Sequence, residues 1–181
     1  AINYADGMAA TFKADVSDES QVIKLFKDIE EDDRFGRVDI LINNAGIFSV
    51  YEQTELSADE WQRLFNLNTM GTFLCSREAA KMMMRQTSAD ADNSNSGAER
   101  GSIINIASIN AIHPGFGGTA HYDATKGAVY TFTRSLAAEL GPHAIRVNAV
   151  APGLVDSKGL RAESAPLAEA VESRNPLAGV N

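Results

Sequence analysis

Cysteine is almost missing from this chain: Cys75 is the only one in 181 residues. No intrachain disulfide can form, and no thiolate metal cluster can be assembled. A lone cysteine also sets cytoplasmic residence as the expectation. Basic charge is short too, with 16 Lys and Arg against 24 Asp and Glu and a net charge of −8. Nucleic acid and anionic membranes both call for a basic face, so neither is an expected partner. No apolar run approaches the ~18 residues of a membrane span. Apolar residues make up 44% and charged residues 22%, the balance of an ordinary globular domain. The length is enough for one domain, 1–181, with a real core.

Apolar periodicity alternates between two patterns. Residues 11–16 read as a short strand, and Ser17 or Asp18 caps a helix running to about Asp33. Residues 38–42, Val-Asp-Ile-Leu-Ile, read as a buried strand that enters Asn43-Asn44-Ala45-Gly46. Ser57 and Glu60 have capping-box spacing and open a long helix over 58–85. A polar, low-complexity stretch over 87–101 reads as a surface insertion. Residues 102–107 form the next strand, 109–119 a glycine-rich loop, 120–140 a helix and 145–150 a last strand. The remainder, 154–181, is Ala-rich and weakly helical. This alternation predicts an α/β fold, a doubly wound, Rossmann-like parallel sheet with helices on both faces.

Ligands of open parallel sheets sit beyond the carboxyl ends of the strands. Asp15-Val16, Asn43-Asn44-Ala45-Gly46, Ser108 and Pro152-Gly153 all fall at such ends. On the 120–140 helix, Tyr122 and Lys126 are four residues apart and share a face. An ammonium beside a phenol favours phenolate, so the Tyr122 pKa is expected to fall from its usual ~10. Ser108, at a strand end, can hydrogen-bond a substrate oxygen beside that phenol. The three side chains offer a proton donor, its tuner and an oxygen holder. Taken alone, the Tyr–Lys pair is a common helix-surface pair. Asn43 reads as a sheet brace, Cys75 and Met82-Met83-Met84 as packing residues, and His121 as non-catalytic; for His113, in the loop after Ser108, lining the pocket is the minor reading.

In this order the motifs resemble those of the short-chain dehydrogenase/reductase family, in its common single-domain branch. They are Asp15-Val16, Asn43-Asn44-Ala45-Gly46, Asn68 within Asn66-Leu67-Asn68, Ser108, Tyr122-x-x-x-Lys126, and the run from Arg146 to Gly153. The resemblance implies a nicotinamide cofactor, NAD or NADP, and interconversion of a secondary alcohol and a ketone. It implies Tyr122 as general acid/base and Lys126 as the residue that lowers its pKa and holds the nicotinamide ribose. It implies Ser108 as the orienter of the substrate oxygen, and Asn68 as the kinked-helix residue of a proton relay. Asp15 and Val16 would border the adenine, with Asn44, Ala45 and Gly46 beneath the cofactor. Pro152, Gly153 and Ser157 would lie at its nicotinamide end. A homodimer or homotetramer is implied as well. Ile112, Phe116, Leu154, Val155 and Leu160 around the pocket point to a small, neutral, partly apolar substrate. Two other readings stay open: an epimerase or dehydratase of similar build, and a non-catalytic binding protein.

The family's glycine-rich phosphate-binding turn has no counterpart ahead of Asp15. The first βαβ unit and the last strand are therefore expected to be missing, and the natural enzyme to carry about 40–60 more residues at each end. On that expectation the 11–16 strand has no sheet neighbour, and the strand ending at Ile42 has an unpaired, buried edge.

Overall fold

The computed structural model describes residues 7–86, 99–115, 117–153 and 155. Three strands, β1 (Ile40–Asn43), β2 (Gly101–Ile106) and β3 (Ile145–Val150), pair in parallel in that order. The register aligns Leu41, Ile103 and Val147 in one row, and Asn43, Asn105 and Ala149 in the next. These rows face the helices. Val22 and Phe26 of α1 (Glu19–Glu30) cluster with Leu74, Ala79 and Met83 of α3 (Gly71–Arg85), and with Ile103, Ile145 and Val147 of the sheet. Fully burying a side chain of this size contributes about 1.5–3 kcal/mol, so this cluster fixes α3 on the sheet. Helix α4 (Ala120–Leu140) lies beside it, buried through Val129 and Leu140.

The opposite face is open among the described residues. Ile40 is 63% exposed, Ile42 57% and Val150 48%. The expected helices on both faces are thus described on one face only. The β1 edge has no partner among the described residues, and it is exposed where it was expected to be buried.

Local chemistry explains the element boundaries. Asp18 caps α1, accepting from the amides of Ser20 and Gln21. These bonds, and that of the Ser20 hydroxyl, hold its carboxyl down to about 2. Helix α1 stops at Glu30, short of Asp33. Ser57 caps α2 (Ala58–Phe65) by accepting from the Glu60 amide at 3.1 Å. The Glu60 carboxylate turns to Arg63 instead of closing the box. The strand expected from Val38 begins at Ile40, because the Gln86 side chain takes both backbone groups of Val38.

Two expectations are corrected. Residues 11–15 have no regular secondary structure and Val16 lies in a turn; a strand requires a ladder, and no described segment pairs with them. Their helix-side anchor is Val16, which lies against Gly71. The helix over 58–85 is present along its whole length, but it is not α-helical throughout. Between α2 and α3, residues Asn66–Met70 form a π-helical segment. Of the 87–101 loop, 87–98 lie outside the described residues, and Gly101 already belongs to β2. Of 154–181, only Val155 is described. No described helix is long and apolar enough to cross a membrane.

Candidate active site

The π-helical segment, the end of β2 and the first turns of α4 converge at one place. A π-bulge widens a helix by one residue and turns backbone and side chains away from their helical directions. Here it delivers Asn68, 1% exposed, to the turn that follows β1. Asn68 accepts from the Ile47 amide at 2.8 Å and donates to the Ile47 carbonyl at 2.9 Å. Its amide also reaches Thr125 Oγ1 at 3.1 Å, and Thr125 in turn donates to the Tyr122 carbonyl. One side chain thus joins the Asn44-Ala45-Gly46 turn to the helix carrying Tyr122 and Lys126.

Asn44, Ala45 and Gly46 are open to solvent on one side. On the other, a Cβ at Gly46 would lie 3.3 Å from Asn68 Oδ1 and 3.6 Å from Lys126 Nζ. That is a shallow floor where backbone can approach a ligand closely.

Lys126 is 6% exposed. Its ammonium donates to the Ile106 carbonyl at 2.8 Å and makes no ion pair among the described residues. Lysine is almost never this buried without a partner. Burial pushes its pKa below the ordinary value. Its Nζ stands 5.7 Å from the centre of the Tyr122 ring.

Tyr122 corrects an expectation. Burial pushes its phenol above the ordinary value of 10.0, the hydrogen-bonding Ser108 side chain lowers it, and the Asp123 charge raises it. Desolvation outweighs the Ser108 hydrogen bond, and the Lys126 ammonium donates instead to the Ile106 carbonyl. Phe48 packs edge-on against the ring, with centroids 4.9 Å apart. Ser108 is 8% exposed, and its hydroxyl accepts from the Asn110 amide at 3.2 Å. The Ile109 amide donates to the Pro152 carbonyl at 3.0 Å, which brings Pro152-Gly153 beside Ser108.

The remaining candidates divide. Val16 meets Gly71, one helical turn beyond Asn68. The Asp15 carboxylate accepts from the amide and hydroxyl of Ser17, so it builds the turn into α1. Ser157, Phe116, Leu154 and Leu160 lie outside the described residues. Ile112 is 58% exposed on the loop after Ser108. Asn43 braces the sheet as expected, donating to Asn105 Oδ1 at 2.8 Å and Ser76 Oγ at 2.9 Å. Burial pushes the Cys75 thiol up to about 11. His121 is fully buried, with Nε2 3.0 Å from Ser49 Oγ and Nδ1 unpartnered among the described residues.

Sequence reasoning missed Thr125, whose only signal is its place between Tyr122 and Lys126. It also missed Thr133, which accepts from Asn105 at 2.9 Å.

A buried lone ammonium, a phenol beside a serine hydroxyl and a glycine floor fit the ribose and nicotinamide half of a dinucleotide. Lys126 keeps donors free for ribose hydroxyls, and Gly46 leaves room above the backbone. Among the described residues there is no glycine-rich turn at a helix N-terminus that would hold the pyrophosphate.

The model of the short chain dehydrogenase family matches residues 1–167. The chain is 36% identical over 149 residues to a 3-oxoacyl-[acyl-carrier-protein] reductase of Synechocystis sp., covering 82% of this chain and 54% of that protein. It is 33% identical over 155 residues to meso-2,3-butanediol dehydrogenase of Serratia marcescens, covering 86% of this chain and 55% of that protein. The structure of a gluconate 5-dehydrogenase from Burkholderia cenocepacia, in complex with NADP and tartrate, superposes with a TM-score of 0.75 at 30% identity. It covers 91% of this chain and 59% of that one. The chain therefore spans about half the length of the curated relatives it matches.

Proposed function

Because the chain belongs to the short chain dehydrogenase family, we propose that it forms the proton-transfer half of an NAD- or NADP-dependent oxidoreductase. The reaction interconverts a secondary alcohol and a ketone. The observation that carries this reading is Lys126, buried with no anionic partner among the described residues and 5.7 Å from the Tyr122 ring. Keeping such a charge in the interior costs stability unless a ligand uses it.

A nicotinamide dinucleotide held here would supply or accept the hydride. In ketone reduction, Tyr122 gives its phenolic proton to the carbonyl oxygen as negative charge develops there. Ser108 donates a hydrogen bond to the same oxygen and stabilises that charge. The Lys126 ammonium stabilises the phenolate left behind, and its spare N–H groups hold ribose hydroxyls. Asn68 keeps the Gly46 turn and α4 in register. In oxidation the phenolate removes the alcohol proton. Asn44, Ala45, Gly46, Pro152 and Gly153 border the cofactor.

Ile109 and Ile112, 46% and 58% exposed beside Ser108, favour a small, neutral, partly apolar substrate. Trp61, Met70 and Phe73 are 37%, 47% and 39% exposed along α2 to α3, which favours association as a homodimer or homotetramer. An epimerase or dehydratase would use the same Tyr–Lys pair. A non-catalytic binding protein would use the buried Lys126 ammonium to hold a ligand, but would have no use for the phenol and serine hydroxyl paired beside it.

The deciding experiment is NADH and NADPH oxidation by the full-length protein against a panel of ketones. Tyr122→Phe is expected to abolish turnover while cofactor binding persists. Unchanged turnover in that variant would remove the reading.

A further inference from the structure

The loop between Ser108 and α4 is gathered onto one carboxylate. Asp123 Oδ1 accepts from Asn110 Nδ2 at 2.7 Å. Its Oδ2 accepts from the Gly115 amide at 3.0 Å and from Thr119 Oγ1 at 3.2 Å. The Asp123 amide returns a bond to the Thr119 carbonyl at 2.9 Å. The knot has no room to spare. A Cβ at Gly115 would come within 2.5 Å of Asn110 Nδ2 and Thr119 Oγ1 and 3.1 Å of Asp123 Oδ2.

This knot closes a ring through the reacting groups. The Asn110 amide donates to Ser108 Oγ at 3.2 Å, its side chain holds Asp123, and Asp123 is the chain neighbour of Tyr122. Ser108 and Tyr122 stand on different elements, so something must set their separation. Helix α4 has no side-chain cap at Thr119, and β2 ends before Ser108. Besides their direct hydrogen bond, Ser108 and Tyr122 are linked by the path through Asn110 and Asp123. It also fixes the segment carrying Ile109 and Ile112, which are 46% and 58% exposed.

Three neutral donors meet a carboxylate that has no ion pair among the described residues. Hydrogen bonds to a charged group are roughly twice as strong as neutral ones, which suits a clamp. An Asp in the first turn of a helix is further stabilised by the helix dipole.

We infer that Asp123 is a positioning residue that clamps the 109–119 wall of the substrate pocket and sets Tyr122 against Ser108. The assignment of that wall to the substrate rests on the function proposed above; the clamp itself does not. The charge has a second effect. Facing the phenol are Ser108 from the end of β2, Phe48 from the turn after β1, and Lys126 and Asp123 from α4. Burial is the main cause that holds the Tyr122 phenol protonated, and the Asp123 charge adds to it in the same direction.

Two readouts on full-length protein test this. Amide hydrogen exchange over 109–119 needs no turnover. It is expected to accelerate about tenfold in Asp123→Asn, the worth of roughly one charge-assisted bond, with β2 and β3 unchanged. Asn110→Ala removes one bond at a half-exposed position and should give a smaller acceleration of the same peptides. Unchanged exchange in both variants overturns the clamp. In the pH profile of ketone reduction, Asp123→Asn should move the basic limb to lower pH and raise KM several-fold. A profile and KM like those of the wild type overturn the positioning role. Should the wild type reduce no ketone, the proposed function fails, and the exchange result still decides the clamp.

Discussion

Two polar clusters are buried side by side where the sheet meets α4, and they differ in how fully their bonds are used. In the first, Asn43 donates to Ser76 and Asn105, Asn105 donates to Thr133, and Thr133 donates to the Val129 carbonyl. Every member is neutral and every member has a partner. Such a network ties β1, β2, α3 and α4 together without inviting a ligand. In the second, Lys126 has one carbonyl for its ammonium, and Tyr122 has one serine hydroxyl. Both are ionisable, and burial disfavours the charged form of each. The first cluster is finished by folding. The second is left with donors to spare, and the proposed function rests on that surplus.

The largest effect should come from the unsaturated cluster. Ser108→Ala is expected to lower kcat for ketone reduction by about 10² or more, with a melting temperature close to wild type. If Ser108→Ala instead lowered stability and left kcat alone, the two clusters would not differ in kind.

Next comes the saturated cluster. Asn105→Ala removes one partner each from Asn43 and Thr133, which keep Ser76 and the Val129 carbonyl. It should cost about 1–3 kcal/mol in chemical denaturation. The folded fraction should keep a KM near that of wild type. A large change in KM at full stability would blur the comparison.

pH sharpens it further. The raised Tyr122 pKa keeps the phenol protonated at neutral pH. Reduction needs that proton, so its rate should be flat across the neutral range. Oxidation needs phenolate, so its rate should climb with pH, about tenfold per unit below the phenol's pKa. Initial-rate profiles in both directions check this, and an oxidation rate flat across the same range would contradict it.

The smallest effect is expected at Gly46. A Cβ there meets Asn68 Oδ1 at 3.3 Å. Gly46→Ala should weaken cofactor binding several-fold, read by fluorescence titration, and leave the Asn43–Asn105 network intact.

Much of this was legible in the chain. Tyr122, Lys126 and Ser108 are readable because helical spacing and strand ends are local properties. Asn43 is readable as a brace because a polar residue at the end of a buried strand needs partners. Four features were not. The resemblance implied a kink at Asn68, but the π-helical turn over Asn66–Met70 has no propensity signal of its own, and its contacts with Ile47 and Thr125 account for it. Residues 11–16 carry a strand pattern, but pairing depends on neighbours that no local pattern contains. The direction of the Tyr122 shift depended on burial, which spacing does not reveal. The Asp123 knot joins residues up to thirteen positions apart through a loop without periodicity.

Lys126 separates the clusters most directly. Its lowered pKa means that the protonated form is disfavoured on folding. Below its folded pKa this destabilises the protein, and the penalty fades as pH rises towards the ordinary 10.5. Lys126→Met removes the charge and keeps the apolar stem. The measurement is a paired one on full-length protein: thermal stability at neutral pH and NADPH affinity by titration, wild type against Lys126→Met. The account predicts a melting temperature no lower than wild type and an affinity reduced at least about tenfold, the loss of a charge-assisted contact. A destabilised variant that binds NADPH as tightly as wild type would contradict it.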